Sequence, residues 1–266
     1  VLYDTTADVI RKAMRGLNIA PATAAAAAGL SERDVIAASR GESSRIVLEK
    51  LATALGLEPT ALAELPGYAP TVDLPAEVTR LELPFDDETV NAWLIRAGGL
   101  PLLFDAGDGK HDVRKALDAL GVGEVEVFIT HAHHDHFGGV AGLGDGVKFC
   151  SGPEDTPAET IVAPGEKLVR GPLRIRVLDL PGHCDGAIGY VVEGLSKPLC
   201  VTGDALFAGS MGGCPPGEPY RNAIKALLAD VLTLPDETIL LTGHGPATTV
   251  EQEKRSNVFV ATARRQ

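Results

Sequence analysis

Four of the chain's seven histidines and an aspartate are crowded into six positions of THAHHDHFGG, residues 130–139. Imidazoles this close repel one another when protonated, and a divalent cation relieves the strain by favouring the neutral rings as ligands. The preceding EVEVFIT alternates like a strand, so the ligand-type residues begin where that strand runs out. His131 and His133 then project in one direction, and Asp135 and His136 come from the turn that follows. Two ligand pairs are thereby delivered to adjacent points.

Further oxygen and nitrogen donors follow later apolar strands, each beside glycine: His183 in DLPGHCDG, Asp204 in CVTGDALFAG and His244 in LLTGHGPATT. His111 has no such setting. His134 occupies the spare position of the motif and reads as a solvated residue or a partner behind the ligands. Cys184 reads as packing, because five histidines and two aspartates already satisfy two ions. Cys150 and Cys200 read as core positions, while Cys214 lies in the glycine- and proline-rich GSMGGCPPGEP. No G-x-S-x-G elbow is present, and a metal-held hydroxide would require no side-chain nucleophile. Two cations about 3.5–4 Å apart can share a hydroxide, lower its pKa toward neutrality and polarise a carbonyl.

Elements must carry these groups. TRLELPF, VNAWLIR, PLLFDAG, LRIRVLDL and PLCVTGD read as strands, with helical DVRKALDAL and NAIKALLADVL between them, which predicts a layered α/β domain over 79–266. Residues 1–67 read as short helices. Val9, Ile10, Ala13 and Leu17 recur at helical spacing, as do Val47, Leu48, Leu51 and Leu55, and Gly29 and Ser31 form a stop and an N-cap. Residues 68–78, rich in proline and without periodicity, read as a linker.

Composition bounds the function. With 266 residues, 45% of them hydrophobic, the chain can bury one sizeable core plus an accessory unit. Its net charge of −12 opposes non-specific binding to nucleic acid or an anionic membrane, and points to a small-molecule substrate. Four cysteines without C-x-x-C spacing read as reduced thiols of a cytoplasmic protein. No apolar run reaches the ~18 residues of a membrane span. The basic and alanine-rich stretch from Arg11 mimics a signal peptide, but Asn18, Pro21 and Thr23 interrupt it.

H-x-H-x-D-H followed by P-G-H, T-G-D and G-H-G resembles the metallo-β-lactamase superfamily, and within it the glyoxalase II-like branch, from about Leu81 to the end. The resemblance implies an αββα sandwich with a dinuclear site at the sheet edges, preceded here by a small all-α domain. His131, His133 and His183 would hold one metal, Asp135, His136 and His244 the other, and Asp204 would bridge. The implied cofactors are two divalent ions, zinc ahead of iron or manganese, and the implied reaction is thioester or ester hydrolysis, with Asp135 also orienting the nucleophile. Persulfide dioxygenases hold one iron through residues matching His131, His183 and Asp204, so an oxygenase stays open, as does a lactonase. Gly213 stands where relatives that bind glutathione carry Arg or Lys.

Residues 22–57 resemble a lambda-repressor-like helix-turn-helix domain, which would place Ser31 to Ser39 in a DNA major groove and make the chain a regulator with a metal-hydrolase sensor. Residues 1–67 carry seven basic and eight acidic residues, a net of −1, where a DNA reader shows a basic footprint. The expected role is therefore homo-oligomerisation, another interaction or covering of the active site.

Overall fold

A computed structural model describes residues 1–110, 113–144, 149–151 and 160–261; His111 and the Cys150 side chain lie outside that description. Five helices open the chain: α1 (Thr6–Leu17), α2 (Pro21–Ala28), α3 (Glu32–Ala38), α4 (Arg45–Ala54) and α5 (Pro59–Glu64). Thr5 with Asp8 and Ser31 with Asp34 form reciprocal capping boxes on α1 and α3, each cap contributing about 1 kcal/mol. Val9, Ile10 and Ala13 are buried as the helical period requires, whereas Leu17 is exposed. Gly16 takes the place expected for Leu17, because the Tyr220 ring lies where a Cβ at position 16 would stand.

After residues 68–77, which have no regular structure, come β1 (Val78–Phe85), β2 (Glu88–Ile95), β3 (Leu102–Phe104), α6 (Val113–Ala119) and β4 (Glu126–Ile129). The helical turn α7 (His134–Phe137) precedes β5 (Phe149–Ser151), β6 (Thr160–Ile161), β7 (Lys167–Arg170), β8 (Leu173–Asp179), β9 (Ile188–Glu193) and β10 (Leu199–Gly203). The chain closes with α8 (Glu218–Ala226), β11 (Ile239–Thr242), β12 (Thr248–Thr249) and α9 (Val250–Ser256).

The strands form two six-stranded mixed sheets, ordered β1-β2-β3-β4-β5-β6 and β12-β11-β10-β9-β8-β7. Alternation builds the layers. In β4, Phe128 faces the other sheet while Val127 and Ile129 face α6; in β11, Ile239 and Leu241 face inward and Leu240 outward. Strands buried on both faces read as apolar runs, and all four residues of each of these two strands are buried, with the polar Glu126 and Thr242 confined to a strand end. Phe104, Phe128 and Tyr190 pack ring against ring between the sheets, at centroid separations of 5.1–5.5 Å. Full burial of each such side chain is worth roughly 1.5–3 kcal/mol.

The outer face of the second sheet carries α8 and α9, and the N-terminal helices join the same apolar cluster: Ile10, Leu51 and Leu62 share it with Leu180, Tyr220 and Val258. Backbone bonds stitch this contact, from Gly217 N to Gly16 O at 2.8 Å and from Glu58 N to Val258 O at 2.9 Å. Tyr68 donates to Glu253, which also accepts from the Gly209 amide and from Asn257. Among the described residues no helix is long and apolar enough to cross a membrane.

Candidate metal centre

Five loops at one edge of the sandwich carry the candidate residues. Asp105 directly follows β3, His131–His136 follow β4, His183 follows β8, Asp204 directly follows β10, and His244 follows β11. Because β3 and β4 run parallel, as do β10 and β11, their C-terminal ends meet at the same edge. Two side chains of β2 lock the last loop across the sheets: Trp93 donates to the Thr242 carbonyl, and Asn91 to Thr242 and Gly245, each at 2.9 Å.

All seven residues singled out from the sequence converge. Three groups have donor atoms mutually within 4.8 Å: His131, His133 and His183; His131, His136 and Asp204; and Asp135, His136 and His244. Asp204 lies between the halves, with Oδ2 3.5 Å from His183 Nε2 and 3.6 Å from His244 Nε2, while Oδ1 is 3.2 Å from His136 Nε2. Asp135 Oδ2 is 3.2 Å from His244 Nε2. Gly243 permits this density, since a Cβ there would fall 2.1 Å from Asp204 Oδ1.

Hydrogen bonds determine which nitrogen of each ring faces inward. His183 Nδ1 faces the Gly213 carbonyl at 2.9 Å and His244 Nδ1 the Thr89 carbonyl at 2.7 Å, so both Nδ1 atoms donate and the Nε2 atoms point to the cluster. Asp105 organises two more rings. It accepts from His136 Nδ1 at 2.8 Å and from Thr130 Oγ1 at 2.9 Å, and that hydroxyl, its proton so used, accepts from His131 Nδ1. His133 turns the other nitrogen inward, with Nδ1 2.9 Å from His183 Nε2.

Electrostatics sort the rings. Burial, aided by the neighbouring His136, holds His131 well below the ordinary imidazole pKa, and burial lowers His183 against the pull of Asp204. For His136, burial is outweighed by the Asp204 and Asp105 carboxylates, which hold it well above that value. Asp204 is held well below the carboxylate range, since His136, His244 and His131 outweigh its burial. His131 is 1% exposed, and its Nε2 has no hydrogen-bond partner among the described residues. A neutral, buried lone pair grouped with the Asp204 carboxylate and other imidazoles fits a divalent cation, and this nitrogen–oxygen donor set suits zinc, iron or manganese.

His134 is exposed, as its spare position in the motif implies. Cys184 belongs to none of the three donor groups, and burial pushes its thiol up to about 11. Sequence reasoning missed Asp105, although an acidic residue ending the apolar run PLLFDAG repeats the pattern that exposed Asp204. It also missed Tyr3, stacked on His244, and Lys12. Position 213 is glycine, and a cation from elsewhere in the chain lies beside it: Lys12 of α1 is 3.9 Å from where a Gly213 Cβ would be, and donates to the Met211 carbonyl at 3.0 Å and to Asp4 at 2.5 Å. No local signal in the sequence pairs residues that far apart.

A two-sheet sandwich with a histidine and aspartate cluster at one edge defines a candidate metal-binding protein of the α/β sandwich type. Residues 85–244 match the metallo-beta-lactamase superfamily, and the chain belongs to that superfamily. It is similar to the "Probable metallo-hydrolase YqgX" of Bacillus subtilis, 27% identical over 203 residues, covering 67% of this chain and 95% of that one. Hydroxyacylglutathione hydrolase GloC of Haemophilus influenzae is 30% identical over 184 residues, 59% of this chain and 86% of that one. Among solved structures, ETHE1 from Myxococcus xanthus superposes with a TM-score of 0.56 at 26% identity, covering 67% of this chain and 83% of that one. TTHA1623, solved in a di-iron-bound form, superposes with a TM-score of 0.54 at 27% identity, covering 68% of this chain and 100% of that one.

Proposed function

We propose that the chain is a dinuclear metal-dependent hydrolase that cleaves a thioester or related ester. Asp204 carries the reading: one carboxylate faces His183 on one side and His244 on the other, at 3.5 and 3.6 Å. His131, His133 and His183 would hold one cation, and Asp135, His136 and His244 the second, with Asp204 shared. Zinc stands ahead of iron or manganese. When bound, such ions supply a water that ionises near neutral pH and a Lewis acid for the carbonyl oxygen.

The chain's own groups then orient and protect the chemistry. Asp105, directly and through Thr130, keeps His136 and His131 in the tautomers whose Nε2 atoms face inward. Asp135 is held ionised, because its bond to His244 and the charge of His136 outweigh burial, so its carboxylate is available to hold a cation and to orient the attacking water. The similarity to GloC supports a thioester carbonyl as the target. The likeness to ETHE1 favours a second reading, a mononuclear iron oxygenase using His131, His183 and Asp204.

Metal analysis of the purified chain, with turnover of a thioester, lactone and persulfide panel, separates the two. Two metals per chain and thioester hydrolysis without oxygen uptake are expected, and Asp204→Ala should lose both metals and most turnover. One iron per chain with persulfide-dependent oxygen consumption would replace this reading with the second.

A further inference from the structure

Two cavities open beside His183. One, of about 220 Å³, reaches Asp204 and is walled by Tyr3, Asp4, Asp8 and Lys12 of the N-terminal segment, facing Glu88 at the start of β2. The other, of about 490 Å³, is lined by Asp185 and Glu218. They are the approaches to the metal cluster, into which the unpartnered and buried His131 Nε2 points. The N-terminal wall lies outside the superfamily span of residues 85–244, so the pocket is completed by a part of the chain that this span does not include.

Apart from the metal-cluster residues themselves, five of the six charged groups lining these approaches are carboxylates. The exception, Lys12, is already used: its ammonium is paired with the buried Asp4, bonded to Met211 O, and set over the Phe207 ring at 4.9 Å. Asp4 is fixed in turn by the Ser210 hydroxyl at 2.6 Å. Asp8 is paired with Arg11. Glu88, Asp185 and Glu218 are exposed and have no cationic partner among the described residues. A substrate tail leaving the site in either direction therefore meets unneutralised negative charge, and an anionic tail would pay like-charge repulsion at the mouth.

We propose that the site takes substrates whose tail beyond the scissile bond is uncharged or cationic, with Glu88, Asp185 and Glu218 as the selecting residues. This rests on the hydrolase reading above, and it predicts that glutathione, whose tail carries two carboxylates against one ammonium and is therefore net anionic, is disfavoured.

The test uses two thioethers that cannot be hydrolysed, S-methylthiocholine and S-methylglutathione, titrated calorimetrically into the metal-loaded chain. The choline thioether should bind at least about tenfold more tightly. The gap should shrink in about 0.5 M salt, where the Debye length is only a few ångströms. Glu88→Lys with Glu218→Lys should close or invert it. Equal or tighter binding of S-methylglutathione, a gap untouched by the charge reversals, or no binding of either thioether at about 10 mM would each overturn the inference. Turnover of acetylthiocholine and S-acetylglutathione is measured alongside. If neither is cleaved while the binding order stands, the hydrolase reading falls and the selection of the tail survives.

Discussion

The Tyr3 ring lies stacked on the His244 imidazole, with centroids 4.4 Å apart and planes 18° from parallel. The other edge of that imidazole is held by the Thr89 carbonyl at 2.7 Å, so the ring is fixed by a stack and a hydrogen bond together. Removing the stack should let His244 rock. Tyr3→Leu is expected to weaken metal affinity about tenfold, the lower range for losing an orienting partner, while Tyr3→Phe keeps the stack and stays within about twofold. Competition with a chromophoric chelator measures both, and equal affinities for the two variants would show that the stack positions nothing.

Asp105 serves two candidate ligands through a single oxygen. Its Oδ2 takes the protons of His136 Nδ1 and Thr130 Oγ1, and Oδ1 takes the Thr130 amide at 2.8 Å. In Asp105→Asn one of these oxygens becomes an amide donor facing another donor. Metal affinity is expected to fall about 10- to 100-fold. The metal-free protein should also lose about 1–3 kcal/mol to denaturant, from the buried groups left unpaired. Unchanged affinity would mean that the two rings keep their orientation without Asp105.

Gly16 marks the closest approach between α1 and α8, since its missing Cβ would sit 2.2 Å from Tyr220 Cδ2. Gly16→Ala should cost about 1–3 kcal/mol of stability through overpacking. Because the same helix carries Lys12 to the pocket, substrate KM should rise as well. Tyr220→Leu, which makes room, should recover part of the loss in the double variant, and strict additivity of the two changes would contradict this contact.

Three cysteines give a pH-dependent readout. Burial pushes Cys184 and Cys214 up to about 11 and Cys200 to about 12. A thiol near 11 is only about one part in a thousand thiolate at pH 8, and that fraction grows about tenfold per pH unit until the pKa is reached. Alkylation of Cys184 by iodoacetamide, followed by peptide mapping, should therefore be slow at pH 8 and about tenfold faster at pH 9. Cys200, wholly buried in β10, should stay unmodified until the chain unfolds. A rate at Cys184 that is fast and flat across this range would reveal a lowered thiol pKa instead.

The local signals in the sequence carried far. Side-chain alternation follows from strand geometry alone, so TRLELPF, VNAWLIR and LRIRVLDL could be read as strands without knowing their neighbours. Caps such as Ser31 depend on residues three apart, and ligand chemistry is written in residue type, which is why His131 to His136, His183, Asp204 and His244 were all legible. What tertiary structure decided lies between residues far apart in the chain. Lys12 meets the Met211 carbonyl across 199 positions, and Asp4 meets Ser210 across 206. Propensity and periodicity act over a few residues and hold no information about such pairs. Their partners are chosen only when Gly16 lets α1 press onto Tyr220 and the N-terminal helices bury one apolar face with the second sheet. The same packing brings the N-terminal helices, for which covering of the active site was one expected role, to the wall of the pocket, because burying Ile10, Leu51 and Leu62 with Leu180 and Val258 removes apolar surface from water.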